Sequence, residues 1–125
     1  MTREDLRRWL EKYVEAWRSY DAGAIGALFS EDAEYRYHPY DEPVRGRAAI
    51  VASWLEEDRR DEPGTWVARY DPLVIEGDVA VATGTSTYLT PEGEVDRVYY
   101  NNFVLEFDDD GRCRSFTEYY MESEA

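Results

Sequence analysis

Four extended segments follow one another in the second half of the chain, and the connections between them are very short. By their strand-like pattern they cover residues 65–76, 78–90, 94–107 and 112–122. The connecting turns carry Gly77-Asp78, Pro91-Glu92-Gly93 and Asp109-Asp110-Gly111. Connections this short suit antiparallel neighbours. The pattern therefore predicts a four-stranded antiparallel meander, whose faces the rest of the chain must cover.

The first half of the chain reads mainly as helices. Thr2 and Asp5 have the spacing of a capping box. The apolar stripe that follows has three- and four-residue spacing and consists of Leu6, Leu10, Tyr13, Trp17 and Tyr20. We expect this helix to end at residues 21–23, with Gly23 in the left-handed cap conformation. A short helix over residues 24–29, a strand over 33–38 and a helix over 47–60 complete an α+β order.

Composition narrows the classes of function. The chain has 125 residues, enough for the one domain (residues 1–125) that we expect. Its formal net charge of −14 argues against nucleic acid and anionic membranes as partners. One cysteine, one histidine and no glycine-rich phosphate cradle predict chemistry without a metal or cofactor, or no chemistry. Without a signal-peptide run or membrane-length apolar stretch, we expect a cytoplasmic protein.

The third extended segment carries apolar side chains on both faces. Tyr99, Phe103, Leu105 and Phe107 point one way, and Val98, Tyr100 and Val104 point the other way. The helices can cover one face. The second face, extended by Tyr119 and Met121, is a candidate homodimer surface because apolar patches of this size are rarely left to water. The alternative is a set of scattered surface aromatics.

Glu118 lies among aromatic residues on the last predicted strand, on the face assigned to the interior with Phe116 and Tyr120. A carboxyl buried there without a cation would have a raised pKa and could carry protons. Arg97 and Asn101 are its candidate partners. Pairing with Arg97 would instead make a structural ion pair with a depressed pKa. Both interpretations remain open from the sequence.

Four further residues have two interpretations each. His38, beside a proline at the expected pocket rim, suits a general acid or base, or simply a hydrogen bond in a loop. Tyr13 and Trp17 lie one turn apart on the inward helix face, and Trp54 lies on the third helix. All three aromatic residues suit core packing, while their polar atoms leave a ligand-facing role open.

Motifs along nearly the whole chain resemble the SnoaL-like and ketosteroid-isomerase-like branch of the nuclear transport factor 2-like superfamily. The matching stretches are YVEAW at residues 13–17, LFSEDA at 28–33, EPVRGRAAI at 42–50, and FDDDGR at 107–112 followed by EYY at 118–120. The resemblance implies a cone-shaped α+β fold, in which a curved antiparallel sheet wraps on three helices with a pocket at the open end. Function varies widely across this superfamily.

The resemblance also implies residue roles. Tyr13 falls where the steroid isomerases place a tyrosine that donates to the developing oxyanion. Their catalytic aspartate corresponds to Tyr37, or to His38 if the register slips by one residue. Phe103 replaces their second oxyanion donor. The epoxide-hydrolase relatives hold an arginine between two acids, and here Arg97 and Glu118 would supply two members, with Tyr99 at the third place.

These observations favour a pocket protein that binds or converts a neutral, largely apolar metabolite. Glu118 or His38 would shuttle a proton in an isomerisation, cyclisation or dehydration, with Tyr13 and Asn101 polarising a carbonyl. The predicted ligand-binding residues are Trp17, Tyr37, Trp54, Arg97, Tyr99, Asn101, Phe103 and Tyr120. The competing hypothesis is a non-catalytic dimeric ligand-binding or structural module whose pocket is filled by its own aromatics. Cavity volume distinguishes the two.

Overall fold

A computed structural model of the protein describes residues 1–62 and 64–123. The helices in this part of the chain are α1 (Arg3–Ser19), α2 (Ala22–Gly26) and α3 (Arg47–Trp54), with a short 3-10 helix at Glu57–Arg59. The strands are β1 (Phe29–Arg36), β2 (Val44–Arg45), β3 (Trp66–Glu76), β4 (Val79–Leu89), β5 (Val95–Phe107) and β6 (Cys113–Glu122). The four predicted extended segments are confirmed to within one residue at each end.

The six strands form one curved sheet in the order β2-β1-β6-β5-β4-β3. The β3-β4-β5-β6 meander is antiparallel throughout, as predicted. The sheet is not wholly antiparallel, because β1 lies parallel to β6. Helix α3 and strands β2 to β5 separate these two strands in sequence, and a connection this long permits parallel pairing.

The first helix has the predicted start and a different end. Thr2 and Asp5 form the capping box. Tyr20, not Gly23, adopts the left-handed conformation, with φ of 51°. The Asp21 side chain accepts from the Ala24 amide and starts α2, so Gly23 lies inside that helix. The Tyr20 hydroxyl accepts from the Asp61 amide at 2.8 Å, which ties this cap to the chain beyond α3.

The third helix ends at Trp54, six residues before the predicted end. Residues 56–60 are all charged, so a continued helix would bury no apolar face there, and packing supplies most helical stability in proteins. The short edge strand β2 carries too few residues to show a pattern and was not predicted. Strand β1 begins at Phe29, where the sequence predicted the end of a helix.

Aromatic rings join the first helix to the sheet. Trp9 meets Phe107 at 5.5 Å between ring centroids, and Tyr13 meets Phe103 at 5.3 Å and Phe116 at 5.5 Å. All these rings are buried. The inward face of β5 and β6 is therefore core at one end, next to α1. No helix in the described residues is both long and apolar enough to cross a membrane.

Candidate functional site

A cavity of about 390 Å³ lies between α1, the segment from α3 to Asp61, and the inward face of the sheet. This volume lies within the usual range for small-molecule sites. An open space of this size differs from the self-filled interior of the competing hypothesis. Among the predicted site residues, those that line the cavity are Tyr13, Trp17, Tyr37, Trp54, Arg97, Tyr99, Asn101, Glu118 and Tyr120.

Two predicted site residues are not among those that line the cavity. Phe103 is buried in the core against Tyr13, Tyr70 and Phe116, because its position on β5 faces the part of α1 that packs on the sheet. His38 lies at the rim, and both of its ring nitrogens contact protein side chains. The predicted roles of the cavity-lining residues in binding or catalysis remain predictions.

The cavity also contains residues that the sequence analysis did not identify. These are Tyr20, Tyr35, Asp58, Arg59, Asp61, Tyr70, Ser86 and Tyr88. Strand alternation carries a signal for two of them, because Ser86 and Tyr88 have the same parity as Ala80 and Ala82 on the inward face of β4. Asp58 and Arg59 lie in the segment predicted as helix and Asp61 directly follows it, and no local pattern places these residues at the opening.

Glu118 presents its carboxyl group to the cavity from the middle of β6. Asn101 on β5 donates from Nδ2 to Glu118 Oε2 at 2.7 Å, and Ser86 on β4 donates from Oγ to Asn101 Oδ1 at 3.1 Å. Burial raises the pKa of Glu118 to about 7, while the Asn101 hydrogen bond and, to a lesser extent, the nearby His38 side chain act in the opposite direction. The carboxyl group can therefore give or accept a proton near neutral pH.

The Glu118–Arg97 ion pair considered above is not found. The Arg97 guanidinium carbon lies 4.8 Å from the ring centroid of Tyr88 and 5.8 Å from that of Tyr99. Arg97 therefore lies against aromatic rings at the opening of the cavity. Arg59 is placed similarly, 4.2 Å from the ring centroid of Tyr37, and also contacts Glu56.

Three tyrosines surround the inner end of the cavity near Glu118. Tyr13 comes from α1, Tyr35 from β1 and Tyr70 from β3, and all three are buried. Burial, and secondarily nearby groups that include Glu118, raise the pKa of each phenol well above its ordinary value. These hydroxyls therefore stay protonated and can act as hydrogen-bond donors.

The two tryptophans of the cavity differ in their polar contacts. Trp17 donates from Nε1 to Asp61 Oδ2 at 3.0 Å and stacks on Trp66 with ring centroids 3.6 Å apart. Trp54 lies perpendicular to Tyr13 at 5.3 Å. Within the described residues, Trp54 Nε1 is the one buried side-chain nitrogen or oxygen without a hydrogen-bond partner. In residues 1–62 and 64–123, no group of three or more His, Cys, Asp or Glu side chains is arranged to hold a metal ion.

Comparisons with known proteins agree on the fold. A model of the SnoaL-like domain matches residues 10–116. A Kribbella flavida protein provisionally assigned as a ketosteroid isomerase is 23% identical, with a TM-score of 0.70 over 98% of this chain and 82% of that one. A Burkholderia xenovorans protein of unknown function, described as similar to nuclear transport factor 2, is 20% identical, with a TM-score of 0.70 over 98% and 87%. No curated protein sequence matches.

Proposed function

Because the chain belongs to the SnoaL-like domain family, with the nuclear transport factor 2-like fold, we propose that its cavity binds a neutral, largely apolar metabolite and catalyses proton transfer on it. The reaction class is a cofactor-free isomerisation, cyclisation or dehydration. The observation that carries the proposal is a carboxyl group in a 390 Å³ aromatic cavity, hydrogen-bonded to an amide, with a pKa near neutrality.

In this proposal Glu118 moves the proton and the tyrosines stabilise charge. Ionised Glu118 removes a proton from the carbon next to a ligand carbonyl and later returns it to another atom. Tyr13 donates a hydrogen bond to the carbonyl oxygen as negative charge develops there, with Tyr35 and Tyr70 as neighbouring donors. Asn101 positions the carboxyl group through one hydrogen of its Nδ2 atom. The second Nδ2 hydrogen would polarise the ligand carbonyl, the role predicted from the sequence.

The remaining aromatic residues would provide the apolar walls of the site. Trp17, Tyr37 and Trp54 bound the cavity on the helical side, and Tyr99 lies toward the opening. These rings would hold the ligand and keep bulk water from the carboxyl group. The Tyr37 hydroxyl is held to α3 by Ser53 Oγ at 2.8 Å, so this wall is fixed in place.

The experiment starts from gently purified protein. We expect native mass spectrometry to detect a co-purifying compound, and transfer into D₂O to exchange its acidic carbon-bound protons for deuterium. Glu118→Gln should retain the compound and lose the exchange. Glu122→Gln, which changes an exposed carboxyl group on the same strand, is the matched control and should retain both. Absence of any compound, or exchange that persists in Glu118→Gln, would contradict the proposal.

We also propose that the outer face of the sheet pairs two copies of the chain. Tyr100, Tyr119 and Met121 on this face are exposed. Tyr100 is the register partner of Met121, and Asn102 is the partner of Tyr119, so these side chains form one patch across β5 and β6. Contiguous apolar patches of this kind are typical of association surfaces.

A further inference from the structure

Three hydrogen-bonded side chains lie in a row at the rim of the cavity. His38 Nδ1 is 2.8 Å from Asp41 Oδ2, and His38 Nε2 is 2.8 Å from the Tyr120 hydroxyl oxygen. Tyr120 lines the cavity, and the other two side chains lie behind it, in the loop after β1. His38 and Tyr120 are 82 positions apart in the sequence, so folding alone brings them together.

The loop after β1 holds this row in place. The Asp41 amide donates to the His38 carbonyl at 3.1 Å, and Arg36 Nε donates to the Asp41 carbonyl at 3.3 Å. Tyr40 stacks on the His38 ring with centroids 5.1 Å apart and planes 12° apart. The imidazole is therefore fixed by its two hydrogen bonds and by one ring face.

The chemistry of the three side chains determines which atom donates in each hydrogen bond of the row. The Asp41 carboxylate has no proton to give, so His38 Nδ1 must be the donor in that contact. In a neutral imidazole Nε2 is then the acceptor, and the Tyr120 hydroxyl donates to it. The remaining lone pairs of the Tyr120 oxygen are free to accept. At the rim the cavity thus offers an acceptor, whereas the buried tyrosines at its inner end offer donors.

From this arrangement we infer that Tyr120 is a second proton-transfer residue of the cavity, which removes a proton from a phenol or enol hydroxyl of the ligand, with His38 and Asp41 as its positioning residues. The ligand O–H bond breaks as its proton moves to the Tyr120 oxygen. The Tyr120 proton moves to His38 Nε2, and Asp41 stabilises the imidazolium. The ligand is left as an oxyanion, and reversal of the same steps restores every proton.

This inference deepens the proposed function and depends on it for the presence of a ligand. Tyr120 and Glu118 are two residues apart on β6, so both face the cavity from the same strand face. A ligand between them would have its hydroxyl at the rim and its carbonyl near the inner tyrosines. The substrate class is therefore a compound that carries both an acidic hydroxyl and a carbonyl group.

An aryl sulfonyl fluoride tests the activation of Tyr120 without a known ligand. The phenol oxygen attacks sulfur, an O–S bond forms, the S–F bond breaks, fluoride leaves, and the phenol proton passes to the base. Peptide mass mapping then gives the labelling rate at each tyrosine. We expect Tyr120 to react roughly a hundredfold faster than Tyr40, the lower range for general base assistance. Tyr40 is 82% exposed and Tyr120 46% exposed, so access alone would favour Tyr40.

Variants separate proton transfer from simple structural support. Gln at position 38 can still accept the Tyr120 hydrogen bond but cannot take up its proton, so His38→Gln should abolish the excess labelling while circular dichroism stays unchanged. Asp41→Ala should reduce the excess labelling. Equal labelling of Tyr40 and Tyr120 in the wild type, or excess labelling that persists in His38→Gln, would overturn the inference.

The Glu118→Gln variant distinguishes the role of Tyr120 from the proposed role of Glu118. We expect this variant to retain the excess labelling of Tyr120, because the row of Asp41, His38 and Tyr120 does not include Glu118. Loss of deuterium exchange with labelling retained would support both conclusions. Exchange that persists in Glu118→Gln would contradict the proposed role of Glu118 while the labelling still reports on Tyr120.

Discussion

Asn101 Nδ2 donates to Glu118 Oε2 across the β5–β6 pair, although neither residue is the direct register partner of the other. Asn101 pairs with Tyr120 and Glu118 with Phe103, so the contact is diagonal. The amide thereby holds the carboxyl group toward the cavity without supplying a charge. Burial raises the pKa of the Glu118 carboxyl group to about 7, and the uncharged Asn101 hydrogen bond offsets only part of that rise.

Glu118 should make the stability of the protein depend on pH. Its pKa is raised from 4.5 to about 7, so between these values the folded state holds more protons than the unfolded state, and stability falls as pH rises. The full loss above this window is about 3 kcal/mol. Glu118→Gln has no carboxyl group at this position and lacks this loss. In denaturant unfolding, the free energy of unfolding of the variant relative to the wild type should therefore rise by about 3 kcal/mol between about pH 4 and pH 8.

The quantity that isolates Glu118 is the difference in the free energy of unfolding between the wild type and Glu118→Gln at each pH. The many other acidic groups contribute equally to both proteins and cancel in this difference. Glu122→Gln serves as the control and should follow the wild type at both pH values. A constant difference between wild type and Glu118→Gln across this range would show that the carboxyl group titrates normally.

Asn101→Leu should raise the pKa of Glu118 further. The Asn101 hydrogen bond favours the ionised carboxylate and lowers its pKa, whereas burial raises it. A leucine of similar volume removes the first effect and keeps the second. Carboxyl ¹³C NMR against pH measures the change directly. Asn102→Leu, on the outward face of the same strand, should leave the Glu118 titration in place, and a fall in the Glu118 pKa in Asn101→Leu would contradict this account.

Local patterns predicted most of the fold. The meander was predictable because each turn is marked by glycine, proline or aspartate and each strand by apolar residues. The ends of α2 and α3 were not, because they depend on the Asp21 cap and on the absence of an apolar face in residues 56–60. The parallel β1–β6 pair was also missed, since no local signal reports which distant strand a strand will join.

The sequence predicted those site residues that strand alternation or the family resemblance places on the inward side of the fold. Glu118, Tyr13, Trp17 and Asn101 line the cavity as the sequence indicated. Phe103 was predicted to contact the ligand from the same alternation. Alternation shows which face of the sheet a side chain lies on, but not whether it lies in the cavity or in the packed core, and Phe103 lies in the core. The contact of His38 with Asp41 and Tyr120 depends on a loop conformation that no periodicity describes.

Gly84→Ala should strongly destabilise the protein and displace Tyr70. A Cβ atom at Gly84 would overlap the Arg69 carbonyl oxygen and lie 2.7 Å from both Cα and Cδ1 of Tyr70. Backbone atoms cannot move aside cheaply, so we expect a loss of about 3 kcal/mol, the upper range for overpacking. Thermal unfolding measures it. Gly26→Ala, whose Cβ would have ordinary contacts, should change stability little, and equal effects of the two would contradict the close approach.

Negative charges placed on the outer sheet face should dissociate the proposed dimer. Tyr100, Tyr119 and Met121 are 59%, 45% and 75% exposed, and Tyr100 and Met121 face each other across two strands. In a symmetric dimer the same patch meets itself, so each substitution acts twice. Tyr100→Glu with Met121→Glu should therefore weaken dimerisation by at least roughly a hundredfold, because like charges across an interface cost several kcal/mol.

Sedimentation velocity over a concentration series measures this change. Tyr40→Glu adds one negative charge, half of that in the double variant, at a residue that is 82% exposed in the loop after β1, and it should leave dimerisation unchanged. The double variant should keep its fold by circular dichroism, since neither side chain is part of the core. A wild-type chain that sediments as a monomer at every concentration would mean that this apolar patch does not pair two copies.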